Sequence, residues 1–233
     1  GDEAQWVAHE MAKLHDGGDA RWGDIAVFYR TNAQSRVVEE HLRRSGIPYK
    51  VVGGTRFYDR REIKDALAYL KAVVNPADEV SVKRILNSPK RGIGDSSVAR
   101  IDTWAAMHGT PFLDALRRAV EQRMLVQQAD GVAPLVADGP APALEALLER
   151  SGYAAELQAE HSIEAEGRLE NLAELIGSAR DIASVDDFLE QISLVSDADQ
   201  VPDDDSQVVL MTLHAAKGLE FPAVFLIGLE DGV

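Results

Sequence analysis

The sequence predicts an α/β fold in which a parallel, helix-covered sheet is interrupted by an all-α insert. Four short β-branched or aromatic runs, bounded by polar or turn residues, predict buried strands at residues 24–29, 49–52, 208–213 and 223–227. Helical patterns alternate with the first strands, which is typical of a parallel sheet. After about residue 75 the strand pattern is absent for about 130 residues, and only helical periodicity remains.

Local residue patterns predict the helices that precede the insert. The acidic run Asp2-Glu3-Ala4-Gln5 could be taken for a magnesium-binding box, but no buried strand precedes it. We therefore interpret it as the acidic first turn of a helix that contains Trp6, Val7 and Met11. Two further helices are predicted from apolar residues at 3.6-residue spacing: Val37, Val38 and Leu42 for one, and Ile63, Ala66, Leu67, Leu70, Val73 and Val74 for the other.

The insert is bounded by turn chemistry. Asn75-Pro76-Ala77-Asp78 should end the preceding helix, and the acidic segment 197–206 should link the insert to the later strands. Inside it, long helices are predicted by the apolar faces Leu169, Leu172, Leu175, Ile176, Ala179 and Val185, Phe188, Leu189, Ile192. The Gly-, Pro- and Ala-rich segment 130–142 predicts a loop. We expect a sheet lobe of residues 1–75 and 206–233, and a helical subdomain of residues 76–205.

Composition excludes several classes of protein. The chain has no cysteine, so it can form no disulfide, thiolate metal site or cysteine nucleophile, and its six histidines show no metal-ligand spacing. Its apolar runs are shorter than the roughly 20 residues that span a membrane, and no charged-then-apolar leader opens it. We therefore expect a cytoplasmic protein with no metal site and no membrane partner.

Charge is distributed unevenly along the chain. The net charge of −15 opposes binding to a phosphate backbone. Residues 30–100 nevertheless hold 15 lysines and arginines against 8 aspartates and glutamates, a local balance of +7. This third of the chain could face nucleic acid, or its cations could be ordinary solvated helix faces, and composition leaves both interpretations open.

The segment most suggestive of chemistry is Thr212-Leu213-His214-Ala215-Ala216-Lys217-Gly218-Leu219-Glu220-Phe221, which continues from the third predicted strand. Open α/β sheets bind ligands at the carboxyl ends of their strands, so Thr212, His214, Lys217 and Glu220 are candidate contacts. Gly218 would let the backbone approach a bound group, and Lys217 supplies a positive charge suited to phosphate. A plain strand, turn and strand with a solvated Lys and Glu would fit the same residues.

A second candidate segment follows the first predicted strand. In Arg30 to Arg36, two guanidiniums and the Asn32 amide flank a strand end and a helix start, whose partial positive charge suits phosphates. Asn32 could also cap that helix.

A third candidate segment lies in the insert. The two glycines of Arg91-Gly92-Ile93-Gly94 would allow a tight turn that aims backbone N–H groups outward, ahead of a helix beginning near Ser96. Such a turn suits a phosphate without reading sequence, although a simple helix-joining turn would look similar. Lys83, Arg84 and Lys90 add positive charge beside it. Arg56, Arg60, Arg61 and Lys64 are further candidates, which could instead pair with Glu62 and Asp65.

Four blocks of the sequence, in the same order, resemble UvrD- and PcrA-like superfamily 1 DNA helicases. Residues 212–222 resemble motif V of that family, and residues 29–36 resemble the single-strand-binding segment of its second RecA-like lobe. Residues 53–65 resemble the block that follows, and residues 91–94 match the duplex-contacting element of the helical insert. The resemblance covers nearly the whole chain and is weakest at 119–142, where this chain looks shorter. It implies that the sheet lobe is RecA-like (2A-like) and that the insert is the family's mobile helical subdomain (2B-like).

The resemblance also implies partners, cofactors and residue roles. Single-stranded DNA and single-strand/duplex junctions are the implied partners, movement is 3′ to 5′, and ATP and Mg²⁺ are cofactors of the parent helicase. The implied single-strand contacts are Arg30, Asn32, Arg36, Thr212 and His214; the duplex contacts are Arg91, Gly92, Ile93 and Gly94; the nucleotide contacts are Lys217, Gly218 and Glu220.

A phosphate loop of the form Gly-x-x-x-x-Gly-Lys-Ser/Thr is absent from the sequence. The family's final motif would also follow residue 233. We therefore expect a fragment that does not bind or hydrolyse ATP alone. Two other hypotheses stay open: a motor-subunit fragment of a helicase–nuclease, and a module that docks repair or transcription proteins through the acidic insert.

Overall fold

A computed structural model describes residues 2–121, 133–198 and 206–229 of the chain. The chain divides into two compact units, Gly1–Arg60 with Val195–Val233, and Arg61–Leu194. These units are defined by contacts within the chain. The boundaries expected at 75/76 and 205/206 concern the subdomains of the helicase family, and they stay a prediction. Among the described residues, none of the helices combines the length and the hydrophobicity of a membrane-spanning segment.

The first unit contains a parallel four-stranded sheet, as predicted. Its elements are α1 (Asp2–Asp16), β1 (Ile25–Tyr29), α2 (Ser35–Arg44), β2 (Tyr49–Val51), β3 (Val208–Thr212) and β4 (Ala223–Leu226). The strand order is β2-β3-β1-β4, so the late strand β3 lies between the two early ones. In register, Val27 of β1 faces Leu210 of β3 and Phe225 of β4.

The two faces of the sheet are covered differently. On one face, Ile25, Val27 and Leu210 pack with buried residues of α1 and α2, such as Met11 and Leu42. The opposite face has a smaller core, in which Ala26, Val209, Met211 and Ala216 are joined by the partly buried Phe221. The loop between β3 and β4 therefore packs back onto the sheet from which it leaves.

The second unit is helical. Its elements are α3 (Arg61–Val74), α4 (Glu79–Ile85), α5 (Asp95–His108), α6 (Phe112–Glu121), α7 (Pro140–Arg150), α8 (Tyr153–Ala159), α9 (Ile163–Ala179) and the greater part of α10 (Val185–Ala198). The predicted apolar spacing is confirmed in α3, where Ile63, Ala66, Leu67 and Leu70 are buried.

Most local predictions are confirmed, and one is wrong. The acidic start is the first turn of α1, with Val7 and Met11 buried. The break after α3 is confirmed as well, since Asp78 caps α4 by accepting a hydrogen bond from the Ser81 amide at 3.1 Å. The loop predicted for 130–142 is wrong over its described part: residues 133–138 form a 3-10 helix, and α7 begins at Pro140. Proline suits this first helical position because its missing N–H would have no helical partner there.

Candidate nucleic-acid interface

The carboxyl ends of the parallel strands bring the candidate segments of the first unit together. Beyond the ladder, the Leu213 amide donates to the Tyr29 carbonyl at 2.9 Å, and the Ile227 amide donates to the Phe28 carbonyl at 3.1 Å. The chain leaving β3 therefore starts beside the chain leaving β1, and the chain leaving β4 starts on its other side. We call this margin of the sheet the carboxyl edge.

The first segment of the carboxyl edge is organised by Gln34. Its carboxamide oxygen accepts hydrogen bonds from the backbone N–H groups of Arg30 at 2.9 Å and Thr31 at 3.1 Å. The side chains of Arg30 and Asn32 are exposed, and Asn32 is the first residue of a 3-10 turn. Gln34, and not Asn32, therefore supplies the side-chain acceptor that caps this turn. The spacing Thr-x-x-Gln is a known capping signature and could have identified it.

Arg36, a predicted single-strand contact, lies in a different environment from Arg30. Its guanidinium forms an ion pair with Glu40 of the same helix at 3.0 Å, and its side chain is only 14% exposed. The carboxylate partially neutralises its charge. Its DNA contact stays a prediction, and any phosphate would have to compete with Glu40.

A cluster of buried polar side chains around Glu39 includes Ser35 of this segment. The Glu39 carboxylate accepts hydrogen bonds from the Ser35 hydroxyl at 2.6 Å and the Phe57 amide at 3.2 Å, and the Arg60 guanidinium lies 4.0 Å away. Arg60 also donates to the Ser35 hydroxyl at 2.7 Å. Burial raises the pKa of nearby Tyr29 well above its ordinary value, with the Glu39 carboxylate adding to the effect. Arg60 is therefore a buried structural residue that pairs with Glu39 and bonds to Ser35.

The second segment of the carboxyl edge is the loop after β3. The Thr212 hydroxyl accepts from the Ala215 amide at 3.3 Å, and the Thr212 carbonyl accepts from the Ala216 amide at 3.0 Å. Gly218 adopts a φ of +87°, a conformation that favours glycine. His214, Lys217, Gly218 and Glu220 are all exposed. The loop thus turns tightly and presents its three polar side chains to solvent.

Glycines allow the neighbouring segments to approach closely. A Cβ on Gly53, which follows β2, would lie 3.2 Å from the Ala215 Cβ. A Cβ on Gly228, which follows β4, would overlap the Gln34 carboxamide. The segments that leave all four strands therefore form one continuous surface.

The candidate duplex-binding turn in the second unit is organised by Asn87. Its carboxamide oxygen accepts from the backbone N–H groups of Arg91 at 2.7 Å and Ile93 at 3.4 Å. Gly92 takes a φ of +73°, and Gly94 is the N-cap of α5. The predicted tight turn ahead of a helix is present, and Gly92 and Gly94 are exposed.

The Arg91 guanidinium is directed toward the chain that surrounds it. One nitrogen donates to the Ile85 carbonyl at 2.8 Å and lies within 3.4 Å of three further carbonyls that follow α4. The other donates to the Tyr69 hydroxyl at 2.8 Å and the Ser151 carbonyl at 3.3 Å. Arg91 therefore closes the end of α4 and joins it to α3 and the residues after α7.

Other cations near this turn are also paired within the chain. Lys83 contacts Glu79 at 3.1 Å and Asp102 at 2.7 Å, and Arg84 contacts Asp65 at 2.8 Å. Arg61 lies 3.7 Å from the same Asp65 carboxylate, as the pairing hypothesis expected. Lys90 is exposed, as are Arg61 and Arg84. Among the described residues no group of His, Asp or Glu could hold a metal ion.

Comparison with known proteins gives one consistent family. The sequence model of the UvrD-like helicase C-terminal domain matches residues 1–233. The chain is 43% identical over 266 aligned positions to the ATP-dependent DNA helicase UvrD1 of Mycobacterium bovis, covering 100% of this chain and 34% of that protein. It is 41% identical to the ATP-dependent DNA helicase PcrA of Bacillus subtilis, covering 99% of this chain and 34% of that protein. The chain thus spans about a third of the length of these curated relatives.

Proposed function

The chain belongs to the UvrD-like helicase C-terminal domain family, and from that membership we propose that it supplies the second motor lobe and helical insert of an ATP-dependent DNA helicase. The observation that carries this proposal is the carboxyl edge, where the segment after β1 lies beside the loop after β3. Both segments correspond to blocks that bind DNA or nucleotide in the resembling helicases. The cytoplasmic location expected from the sequence belongs to the same proposal.

Single-stranded DNA would lie along the carboxyl edge. Arg30 and His214 are exposed side chains able to contact phosphates, and Asn32 and Thr212 can form hydrogen bonds with the strand. Arg36 would contribute only where a phosphate displaces Glu40. These contacts are made to the sugar–phosphate backbone of the DNA, so the affinity should not depend on base sequence.

The nucleotide would approach the far end of the same loop. Lys217 offers a positive charge, Gly218 allows close approach of the backbone, and the Glu220 carboxylate can accept hydrogen bonds from a ribose. ATP, with Mg²⁺, supplies the free energy of movement when it is bound and hydrolysed. Because the sequence holds no phosphate loop, this chain would supply one side of the cleft only. A shift of the loop on the nucleotide side would be transmitted to Thr212 and His214 on the DNA side.

Duplex DNA would contact the Gly92–Gly94 turn through the backbone N–H groups of Gly92 and Gly94, since those of Arg91 and Ile93 donate to the Asn87 carboxamide. We assign Arg91 the role of holding this turn, since its guanidinium donates to the carbonyls after α4 and to Tyr69. Lys90, beside it, is then the exposed cation available to a phosphate.

Single-strand binding can be tested with two arginines at opposite ends of β1. Arg30 follows the strand at the carboxyl edge, whereas Arg21 precedes it, with a 91% exposed side chain paired to Asp24. The affinity of the chain for an oligothymidine is measured against salt concentration for Arg30→Ala and Arg21→Ala. Losing one phosphate contact should make the log–log slope shallower by about 0.7 in Arg30→Ala and leave Arg21→Ala unchanged. Equal slopes in the two variants would remove Arg30 from the interface.

The nucleotide contact is tested in the longer protein that carries this chain. Glu220→Gln should raise the KM for ATP or lower DNA-stimulated turnover by roughly 10-fold or more, as expected for loss of a hydrogen bond to a charged acceptor. The matched control is Glu149→Gln, which changes an exposed carboxylate of α7. Turnover by Glu220→Gln equal to that of the control would remove Glu220 from the site.

A further inference from the structure

A groove between α5 and α6 of the second unit carries positive charge. Its lining includes Ser97, Arg100, Ile101, Trp104, Ala115 and Arg118. The chain has 39 acidic residues against 24 basic ones, yet among the described residues this lining has two guanidiniums and no carboxylate. Such a local reversal of charge favours an anionic ligand.

The groove residues lie on one face of each helix. Ser97, Arg100 and Trp104 follow one another at three- and four-residue spacing along α5, so their side chains line a single stripe. Arg118 reaches the stripe from α6, with its guanidinium carbon 5.8 Å from the centre of the Trp104 ring. His108 stacks on Trp104 at 4.0 Å between ring centres.

The Trp104 ring positions Arg118 without neutralising it. An aromatic face offers no compensating negative charge and leaves the N–H donors open, whereas a carboxylate partner offsets the charge and occupies donors. The adjacent Arg117 shows the contrast, because it pairs with Asp114 at 3.7 Å. Arg100 and Arg118 are exposed, and neither pairs with a carboxylate among the described residues. Both guanidiniums are therefore available to an external anion.

The location of the groove indicates which anion it binds. Helix α5 begins at Asp95, directly after the Gly92–Gly94 turn, and its rise of about 1.5 Å per residue puts Arg100 about 8 Å and Trp104 about 14 Å further along the axis. Successive phosphates of one strand advance by about 3.4 Å along a duplex, so the groove lies about two to four phosphates from the turn.

We propose that Arg100 and Arg118 bind backbone phosphates of the same duplex that meets the Gly92–Gly94 turn, with Trp104 holding Arg118 in place. This inference rests on the proposed function, since it extends its duplex contact by a second site. Guanidiniums bind phosphates through paired donors in a fixed plane, so the contact is independent of base sequence.

The test measures binding of the 233-residue chain to a blunt duplex at several salt concentrations. Arg100→Gln with Arg118→Gln should make the log–log slope shallower by about 1.8, because two phosphate contacts are lost. Arg117→Gln is the matched control, since it removes an adjacent exposed guanidinium that points to Asp114, and its slope should equal that of the unaltered chain. Circular dichroism checks that the helices are retained.

The outcomes separate this inference from the proposed function. Equal slopes in the double variant and the control, or no duplex binding by the unaltered chain, would show that the groove does not bind duplex phosphates. The effect of Arg30→Ala on single-stranded DNA is read independently, so either site can fail while the other stands. As a second measurement, Trp6→Phe with Trp22→Phe leaves Trp104 as the sole tryptophan. Its fluorescence should change when duplex is added and stay constant with single-stranded oligothymidine.

Discussion

Replacing Arg91 by alanine should mainly lower the free energy of unfolding of the helical unit. Its effect on the affinity for DNA phosphates should be smaller. The two shortest hydrogen bonds of Arg91, to the Ile85 carbonyl and the Tyr69 hydroxyl, are both 2.8 Å long. Hydrogen bonds to charged groups contribute about 1.5–3 kcal/mol each, and the lower end applies because Arg91 is exposed. The expected loss is therefore about 2–4 kcal/mol in the free energy of unfolding.

The assay is urea unfolding followed by far-ultraviolet circular dichroism, with Lys90→Ala as the matched control. The Lys90 side chain is exposed, so this substitution should change the unfolding free energy by less than about 0.5 kcal/mol. Duplex binding against salt should show the reverse ranking, with a shallower slope for Lys90→Ala. A structural role of Arg91 is refuted if Arg91→Ala is as stable as the control and alone has the shallower slope, because its guanidinium would then contact DNA and not the chain.

Three further tests, at Gln34, Arg60 and Asp78, examine how the two units are built. Gln34→Leu removes the acceptor of two backbone N–H groups and should cost about 1 kcal/mol in urea unfolding, whereas Gln34→Glu should cost less because it retains an acceptor. Arg60→Met leaves the Glu39 carboxylate buried without its cation and should cost about 3–5 kcal/mol; adding Glu39→Gln should recover part of that loss, and no recovery in thermal melts would contradict the pairing. Hydrogen bonds from Ser81 hold the pKa of Asp78 below its ordinary value of 3.8, so its contribution is complete above pH 3.8 and is lost as pH falls through the lower folded-state pKa. The stability advantage over Asp78→Asn should therefore disappear in strong acid, and an advantage independent of pH would exclude the carboxylate as its source.

Elements set by local pattern could be predicted from the sequence, because their cause lies within a few residues. Periodic burial defines α3, and the acidic first turn defines α1. Parallel pairing of the strands also follows, since strand and helix alternate and the carboxyl ends must then meet at one edge. The sequence predicts Arg30 and the loop after β3 each at the end of a strand, and in the structure the two segments start side by side.

Side-chain partners distant in sequence could not be predicted in the same way. Arg60 bonds to Ser35, 25 residues earlier, and Arg91 reaches Ser151, 60 residues later. Nothing in the local pattern distinguishes such an arginine from one that faces solvent, because both lie among turn and helix residues of similar polarity. Gln34, by contrast, had a local signature, the Thr-x-x-Gln spacing that precedes α2.

The same difficulty explains why local charge overstates the DNA-binding surface. The balance of +7 in residues 30–100 counts every cation equally. In the structure, at least seven of these cations are engaged with carboxylates or carbonyls of the chain: Arg36, Arg44, Arg60, Arg61, Lys83, Arg84 and Arg91. A cation that is already paired releases little counterion when DNA arrives, so it contributes little to affinity or to its salt dependence. The surface that binds phosphate should therefore be sought among exposed cations without a carboxylate partner, and that criterion selects Arg118, which lies outside residues 30–100.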